Sequence, residues 1–344
     1  MRIAFLLPEP LDLLTGGMVY NHRMAQELRT LGHDVQIIGI AGQLPLADDT
    51  ARHSAQTALA TLSDDSIAVI DNIALMAFDR LLDHPTLRQA VVLNHHPTGL
   101  EPGLSSETAA ALLEFERRVM PRMARVVVTS PATAETLATD FAVQAARITT
   151  ILPGTDDAPR SRGSLSGPVQ ILSIGSLIPR KGHDILLRAL ALLFDLDWRL
   201  TIAGTARIDP ECAAMLRALP AELGIADRVT LQGETVGQPL ADLWDAADLF
   251  ALATRYEGFG MVIAEALRHG LPVAVCKGGA AGDLVTPECG AVCPVDDVAQ
   301  LSKSLRRMIF DKRLRQDMAQ HAWDKGRTLP FWPEQAARLA TTLA

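Results

Sequence analysis

Short apolar runs alternate along the whole chain with stretches whose apolar positions recur every three or four residues. The first kind reads as strands buried on both faces and the second as amphipathic helices, so the pattern predicts βαβ units around parallel sheets. In the first half the predicted strands are 3–7, 35–40, 67–70, 91–94, 126–129 and 148–152. Between the first two, Val19, Met24, Ala25, Leu28 and Leu31 share one helical face over 18–31, and Gly32 ends that helix.

After Gly154 the periodicity lapses, and residues 155–168 collect Asp, Pro, Arg, Ser and Gly, which is linker chemistry. The second half repeats the first scheme, with strands at 169–174, 199–203, 229–232, 249–253 and 272–275 and helices at 183–193, 210–223, 240–246 and 261–269. Helices at 298–311 and 313–326 precede a break at Pro330, Phe331, Trp332 and Pro333, and a last amphipathic helix covers 334–343. The expected architecture is α/β, with two Rossmann-like, doubly wound domains at 1–160 and 168–326 and a terminal segment, 327–344, that packs back on the first. Doubly wound sheets bind ligands beyond the carboxyl ends of their strands, so two facing domains would place a site in the cleft between them.

Length and charge narrow the function. A chain of 344 residues suits two domains of roughly 150 residues each. A net charge of −8 argues against nucleic acid as a partner, which calls for a basic surface. Cys212, Cys276, Cys289 and Cys293 are too scattered for a disulfide framework or a zinc site. The apolar run after Met1 stops at Pro8, Glu9 and Pro10, and no membrane-length apolar stretch follows, so a cytoplasmic protein is expected. Arg117, Arg118, Arg122 and Arg125 in a helical stretch at 108–125 read as a solvated face, with peripheral docking on the inner face of a membrane as the alternative.

Four places carry candidate chemistry. Gly16-Gly17 precede a helix near Met18, where backbone can approach a ligand and helix N–H groups point outward. Gly175-Ser176-Leu177-Ile178-Pro179-Arg180-Lys181-Gly182 joins a strand to a helix and brings two adjacent cations to its start, suited to a phosphate. Glu257-Gly258-Phe259-Gly260 leads into a helix that carries Glu265 among apolar neighbours, where a carboxylate needs a partner such as ribose hydroxyls. Asn94-His95-His96-Pro97, with Glu101 close behind, ends a strand, where a histidine can donate hydrogen bonds or shuttle protons. The acidic pairs Asp48-Asp49, Asp64-Asp65, Asp156-Asp157 and Asp296-Asp297 fall in expected loops, and no metal is expected.

Taken together, Gly16-Gly17, Leu31-Gly32-His33, Leu152-Pro153-Gly154-Thr155-Asp156, Lys181-Gly182 and the E-x7-E pair Glu257 and Glu265 resemble the GT-B glycosyltransferases of family four. The resemblance implies a retaining, metal-independent hexosyltransferase that uses a UDP- or GDP-linked sugar as donor substrate, needs no cofactor and serves a process such as polysaccharide biosynthesis. It implies that Glu265 binds the donor ribose, Glu257 lies by the donor sugar and Lys181 holds the diphosphate. By the same resemblance Phe259 and Gly260 line sugar and phosphate, His95 touches the transferred sugar, and Gly16-Gly17 form the loop near diphosphate and acceptor. Two positions depart from the family pattern: Ser176 stands where Arg is usual, with Arg180 as a substitute cation, and Pro153 stands where Asn is usual. The acceptor, whether glycan, lipid or small molecule, and the oligomeric state are not written in the sequence. The rival readings are a nucleotide-sugar epimerase or sugar phosphorylase of the same architecture and a non-catalytic nucleotide-sugar-binding subunit.

Overall fold

Burial on both faces turns the apolar runs into sheet centres rather than helices. Ile3 to Leu7, for example, are at most 1% exposed. The computed structural model describes residues 1–164 and 166–344; Leu165, inside the expected linker, lies outside the described residues.

The chain divides into two compact units, 1–154 with 330–344, and 155–329. The first runs β1 (Arg2–Pro8), α1 (Gly16–Thr30), β2 (Asp34–Ile40), α2 (Asp49–Thr61), β3 (Ser66–Asp71), α3 (Pro85–Arg88), β4 (Val91–Asn94), α4 (Ser106–Val119), β5 (Arg125–Val128), α5 (Pro131–Asp140) and β6 (Ile148–Thr150). The second runs β7 (Val169–Ile174), α6 (His183–Ala191), β8 (Trp198–Ala203), α7 (Pro210–Glu222), β9 (Val229–Gly233), α8 (Gln238–Ala246), β10 (Leu249–Leu252) and α9 (Met261–Arg268). It closes with β11 (Val273–Cys276), β12 (Gly290–Cys293), α10 (Val298–Phe310) and α11 (Lys312–Gly326), and α12 (Trp332–Leu343) then belongs to the first unit.

Among the described residues each unit has one parallel six-stranded sheet, in the orders β2-β1-β3-β4-β5-β6 and β12-β11-β10-β7-β8-β9. In the first, the chain winds to one side after β1 and to the other from β3 onward. In the second, the reversal falls between β7 and β10. Where the order reverses, consecutive loops diverge and leave a crevice at the strands' carboxyl ends. The segments after β1, β4, β7 and β10 hold most of the candidate residues.

The structure revises several sequence expectations. Gly16 and Gly17 lie inside the first turn of α1, because the hydroxyl of Thr15 accepts from Met18 N–H and caps the helix there. The stretch 108–125 is not one helix: α4 ends at Val119, a 3-10 turn spans Met120–Arg122, and Arg125 opens β5. Of its arginines, Arg117 donates to Asp140 carbonyl and Arg122 pairs with Asp83. The second unit begins at Thr155, ahead of the expected linker's end. The described residues 159–164 are strapped onto that unit: Ser161 N–H donates to His269 carbonyl at 2.9 Å and Ser164 hydroxyl donates to Asp248 at 2.6 Å. Polar, aperiodic chain can thus be ordered when another surface satisfies its backbone.

Each sheet has its own core. Leu186, Leu190, Trp198 and Leu200 centre the second, and Leu6, Ile70, Phe78 and Val92 the first. Among the described residues no helix is long and apolar enough to cross a membrane. Leu186→Ala should lower the stability of the second unit by about 2–5 kcal/mol through an unfilled cavity and leave the first-unit transition in place, as read by urea unfolding.

Candidate functional site

In the second unit the chain leaves β7 through Gly175 and buried Ser176, makes a 3-10 turn at Pro179–Lys181 and enters α6 at His183. Gly182 takes a left-handed backbone, φ 63°, and a Cβ there would overlap the Ala253 carbonyl. Only glycine can make this corner. Lys181 folds back over Gly175, its Cδ lying 3.1 Å from where a Cβ would stand.

Its ammonium donates to Glu257 Oε1 at 2.6 Å, Thr254 hydroxyl donates to the same oxygen at 3.0 Å, and the Arg180 guanidinium approaches it at 3.5 Å. Glu257 is only 7% exposed. Burial raises its pKa, but the charges of Lys181 and Arg180 with the hydrogen bonds from Lys181 and Thr254 outweigh burial and hold the carboxyl below its ordinary range. Arg180 also donates to Tyr256 carbonyl at 2.8 Å. The cation that follows Ser176 in sequence therefore turns toward the loop after β10.

Phe259 is buried, and Gly260 opens α9 with no side-chain cap, as Gly182 opens α6. Their first N–H groups lack the side-chain acceptor that usually satisfies helix starts. Beneath the turn, His183 is 1% exposed and donates from Nε2 to Gly175 carbonyl at 3.2 Å. Burial lowers its pKa to about 4.

In the first unit, His95 follows β4 and its ring packs on the first turn of α1, with Cδ2 3.0 Å from where a Gly17 Cβ would stand. Its Nε2 faces two acceptors, Asp71 Oδ2 at 3.4 Å and Asn21 Oδ1 at 3.3 Å, so this nitrogen carries the proton. Asn21 in turn donates to Asp71 at 2.6 Å, and Asp71 Oδ1 accepts from Ile73 N–H at 2.9 Å. Burial raises the Asp71 pKa, yet the hydrogen bond and charge of His95 with the Ile73 and Asn21 donors leave it lowered. His96 Nε2 lies 3.7 Å from Glu101 and so has a separate partner.

Sequence reasoning assigned Lys181 to the diphosphate, Arg180 as a substitute cation and Glu257 to the donor sugar, and the structure joins all three within one unit through the Glu257 carboxylate. Glu265 is partly buried on α9, and the more deeply buried of the two carboxylates is Glu257. Asn21, Asp71 and Thr254 escaped notice, as did Glu116, which accepts from Thr98 and Gly99 N–H at 2.7 and 3.2 Å and so fixes the loop behind His96. The glycines after β11 were also missed: Glu257 N–H donates to Gly278 carbonyl and Ala280 N–H to Glu257 carbonyl, and Gly278-Gly279 after a strand was a readable signal. Asp195-Leu196-Asp197 has Asp-x-Asp spacing that sequence reasoning passed over, but Asp195 is bidentate to Arg306 at 2.7 Å and precedes β8, at the amino ends of the strands, whereas Lys181 follows the carboxyl end of β7. Among the described residues no three His, Cys, Asp or Glu side chains gather to hold a metal ion.

His183 gives this site a pH signature. The unfolded histidine binds its proton near 6.5 and the folded one only near about 4, so stability is complete above this window and is lost as pH falls through it. His183→Gln, which keeps a donor for Gly175 but cannot titrate, should lose less stability between about pH 7 and about pH 4.5. Urea midpoints of the two proteins at both pH values check this.

Residues 155–324 match the family model for glycosyl transferases group 1. D-inositol 3-phosphate glycosyltransferase 1 of Catenulispora acidiphila is 30% identical over 263 residues, covering 69% of this chain and 61% of that protein. Over three curated relatives the match spans 37%, 45% and 61% of their lengths. Sucrose-phosphate synthase from Thermosynechococcus elongatus shares the fold at a TM-score of 0.83 and 19% identity, over 99% of this chain and 98% of that one. Anabaena HepE, solved with UDP and glucose, does so at 0.76 and 18% over 99% of both. With two parallel doubly wound sheets the chain has the GT-B fold, and its second unit, matched almost throughout, belongs to the glycosyl transferases group 1 family.

Proposed function

We propose that the protein is a retaining glycosyltransferase that moves a sugar from a nucleotide-diphosphate sugar to a hydroxyl acceptor, without a divalent metal. The observation that carries this reading is the buried Lys181–Glu257 pair, with Arg180 beside it, at the uncapped starts of α6 and α9. An ammonium has three donors, so the bond to Glu257 uses one of them. Lys181, Arg180 and the two helix starts together supply positive potential where a departing diphosphate would gather negative charge, the electrostatic work another enzyme assigns to a metal.

The hydrogen bonds to Glu257 fall on Oε1, which makes Oε2 the acceptor for sugar hydroxyls. Glu265, eight positions along and partly buried, is the ribose ligand in this reading. Because Nε2 of His95 faces Asp71 and Asn21, Nδ1 is the ring nitrogen that would meet a hydroxyl of the transferred sugar. Gly16 and Gly17, at the start of α1, lie beside that ring and suit the diphosphate and acceptor side. The names of the relatives point to transfer of sugars, and HepE bound to UDP and glucose supports UDP-linked sugars as the first donors to test, with GDP-linked sugars next.

The test is incubation with UDP- and GDP-sugars and a panel of glycan, lipid and inositol acceptors, with and without EDTA. Release of nucleoside diphosphate with a new glycoside of unchanged anomeric configuration, insensitive to EDTA, is expected. An altered sugar nucleotide, a requirement for inorganic phosphate, an inverted product, metal rescue after EDTA, or donor binding without turnover each overturns part or all of the reading. Lys181→Ala should weaken nucleoside diphosphate binding by about 1.5 to 3 kcal/mol while nucleoside binding changes little, as measured by calorimetry. Glu265→Ala should bind ribo- and 2'-deoxyribonucleotide sugars almost equally, where the native protein prefers the ribo form; a retained preference in a variant that still melts cooperatively removes Glu265 from the ribose.

A further inference from the structure

Trp332 is the first residue of α12, yet its contacts run back toward His95. Its ring meets that of Tyr20 edge-on at 5.8 Å, and Tyr20 meets the His95 ring edge-on at 5.3 Å. Tyr20 is 0% exposed and its hydroxyl donates to Ile151 carbonyl at 3.1 Å, so its ring has one place to be. Trp332 is equally fixed. The Arg23 guanidinium lies over it at 5.3 Å, and a side chain on Gly154 would overlap its backbone. Farther along α12, Arg338 donates to Thr150 carbonyl at 3.0 Å, which ties the helix to the end of β6.

We propose that Trp332 is a positioning residue for His95, acting through Tyr20, so that the terminal helix sets the geometry of the histidine. The inference deepens the glycosyltransferase reading by adding a residue from the far end of the chain to the same site, and it rests on that reading only for the meaning of His95. Hydrogen bonds to Asp71 and Asn21 fix one ring nitrogen of His95, but a bond at a single atom leaves the ring free to rock about it. The Gly17 surface limits that rocking on one side and the Tyr20 ring on another. Edge-on aromatic contacts are directional, and each is worth enough to restrict a neighbour's orientation. If Tyr20 loses Trp332 behind it, its ring gains room to tilt and His95 follows.

The experiment uses the full chain with Trp332→Leu, Trp332→Phe and, as control, Leu339→Ala, a fully buried residue of the same helix outside the aromatic path. The primary readout is the His95 ring resonance across a pH titration, identified by its loss in His95→Gln. The second is the hydrolysis of UDP-glucose without acceptor, resolved into kcat and KM. Trp332→Leu keeps apolar bulk and should shift the His95 resonance and titration midpoint and lower kcat by about 3- to 10-fold, the range one aromatic pair accounts for. Trp332→Phe should restore most of both, and Leu339→Ala should lower the melting temperature without moving His95. An unmoved His95 resonance in Trp332→Leu, an equal shift in Leu339→Ala, or no rescue by phenylalanine overturns the proposal. Absence of turnover in the native protein bears on the glycosyltransferase reading, while the resonance shift still decides the positioning.

Discussion

The second unit depends on one carboxylate. Glu257 enters a site where an unpaired charge would cost several kcal/mol, and it stays ionised because Lys181, Thr254 and Arg180 converge on one of its oxygens. Those partners come from different loops: Lys181 and Arg180 follow β7, while Thr254 and Glu257 follow β10. The pair therefore joins the two strands between which the sheet order reverses, and it sets the width of the crevice there. Arg255 reinforces the joint by donating its N–H to Arg180 carbonyl at 2.7 Å and its guanidinium to Asp184. Neither loop could shift without stranding a buried charge.

The first unit solves the same problem with little formal charge. Its reversal point lies between β1 and β3, and Asp71 at the end of β3 is held by an amide, a backbone N–H and a histidine instead of by lysine and arginine. Such a network orients more than it attracts, because hydrogen bonds fix direction while the local cation content stays low. Glu116 extends this logic to the next loop, where a buried carboxylate receives two successive backbone N–H groups. One unit thus presents positive potential and the other a fixed imidazole.

Most of the fold was legible because strand runs such as 91–94 and 169–174 are apolar throughout and bounded by breakers. What escaped had weak signals. Helix α2 buries only Ala51, Ala55, Ala58 and Leu59, mostly small side chains that leave a faint period, and β12 opens on Gly290 and buries only its two end residues. In the site, the glutamates and cations could be found by residue type and spacing. Their burial could not, since Glu265 has the apolar sequence neighbours while Glu257 is the more deeply buried, among cations brought from another loop. Asn21 and Asp71 lie 50 residues apart and His95 lies 74 from Asn21, so only the completed sheet reveals them as one network.

Helix starts show where the fold accepts a cost. Thr15, Asp48, Ser105, Ser130, Asp209, Asp297 and Asp311 each cap a helix with a side-chain oxygen. Helices α6 and α9 begin instead at glycines in the left-handed region and forgo on the order of a few tenths of a kcal/mol apiece. Helix α8 also starts at a glycine without a side-chain cap, so the missing cap alone marks no site. The difference lies in what precedes the glycine: Lys181 and Arg180 before α6, and Glu257 before α9, all bound to one another. An acidic cap at either start would add a second carboxylate beside Glu257 and compete with it for the same two cations. Glycine leaves the helix N–H groups and the cations acting in the same direction, so the residues that weaken the helix ends preserve the positive potential of the crevice.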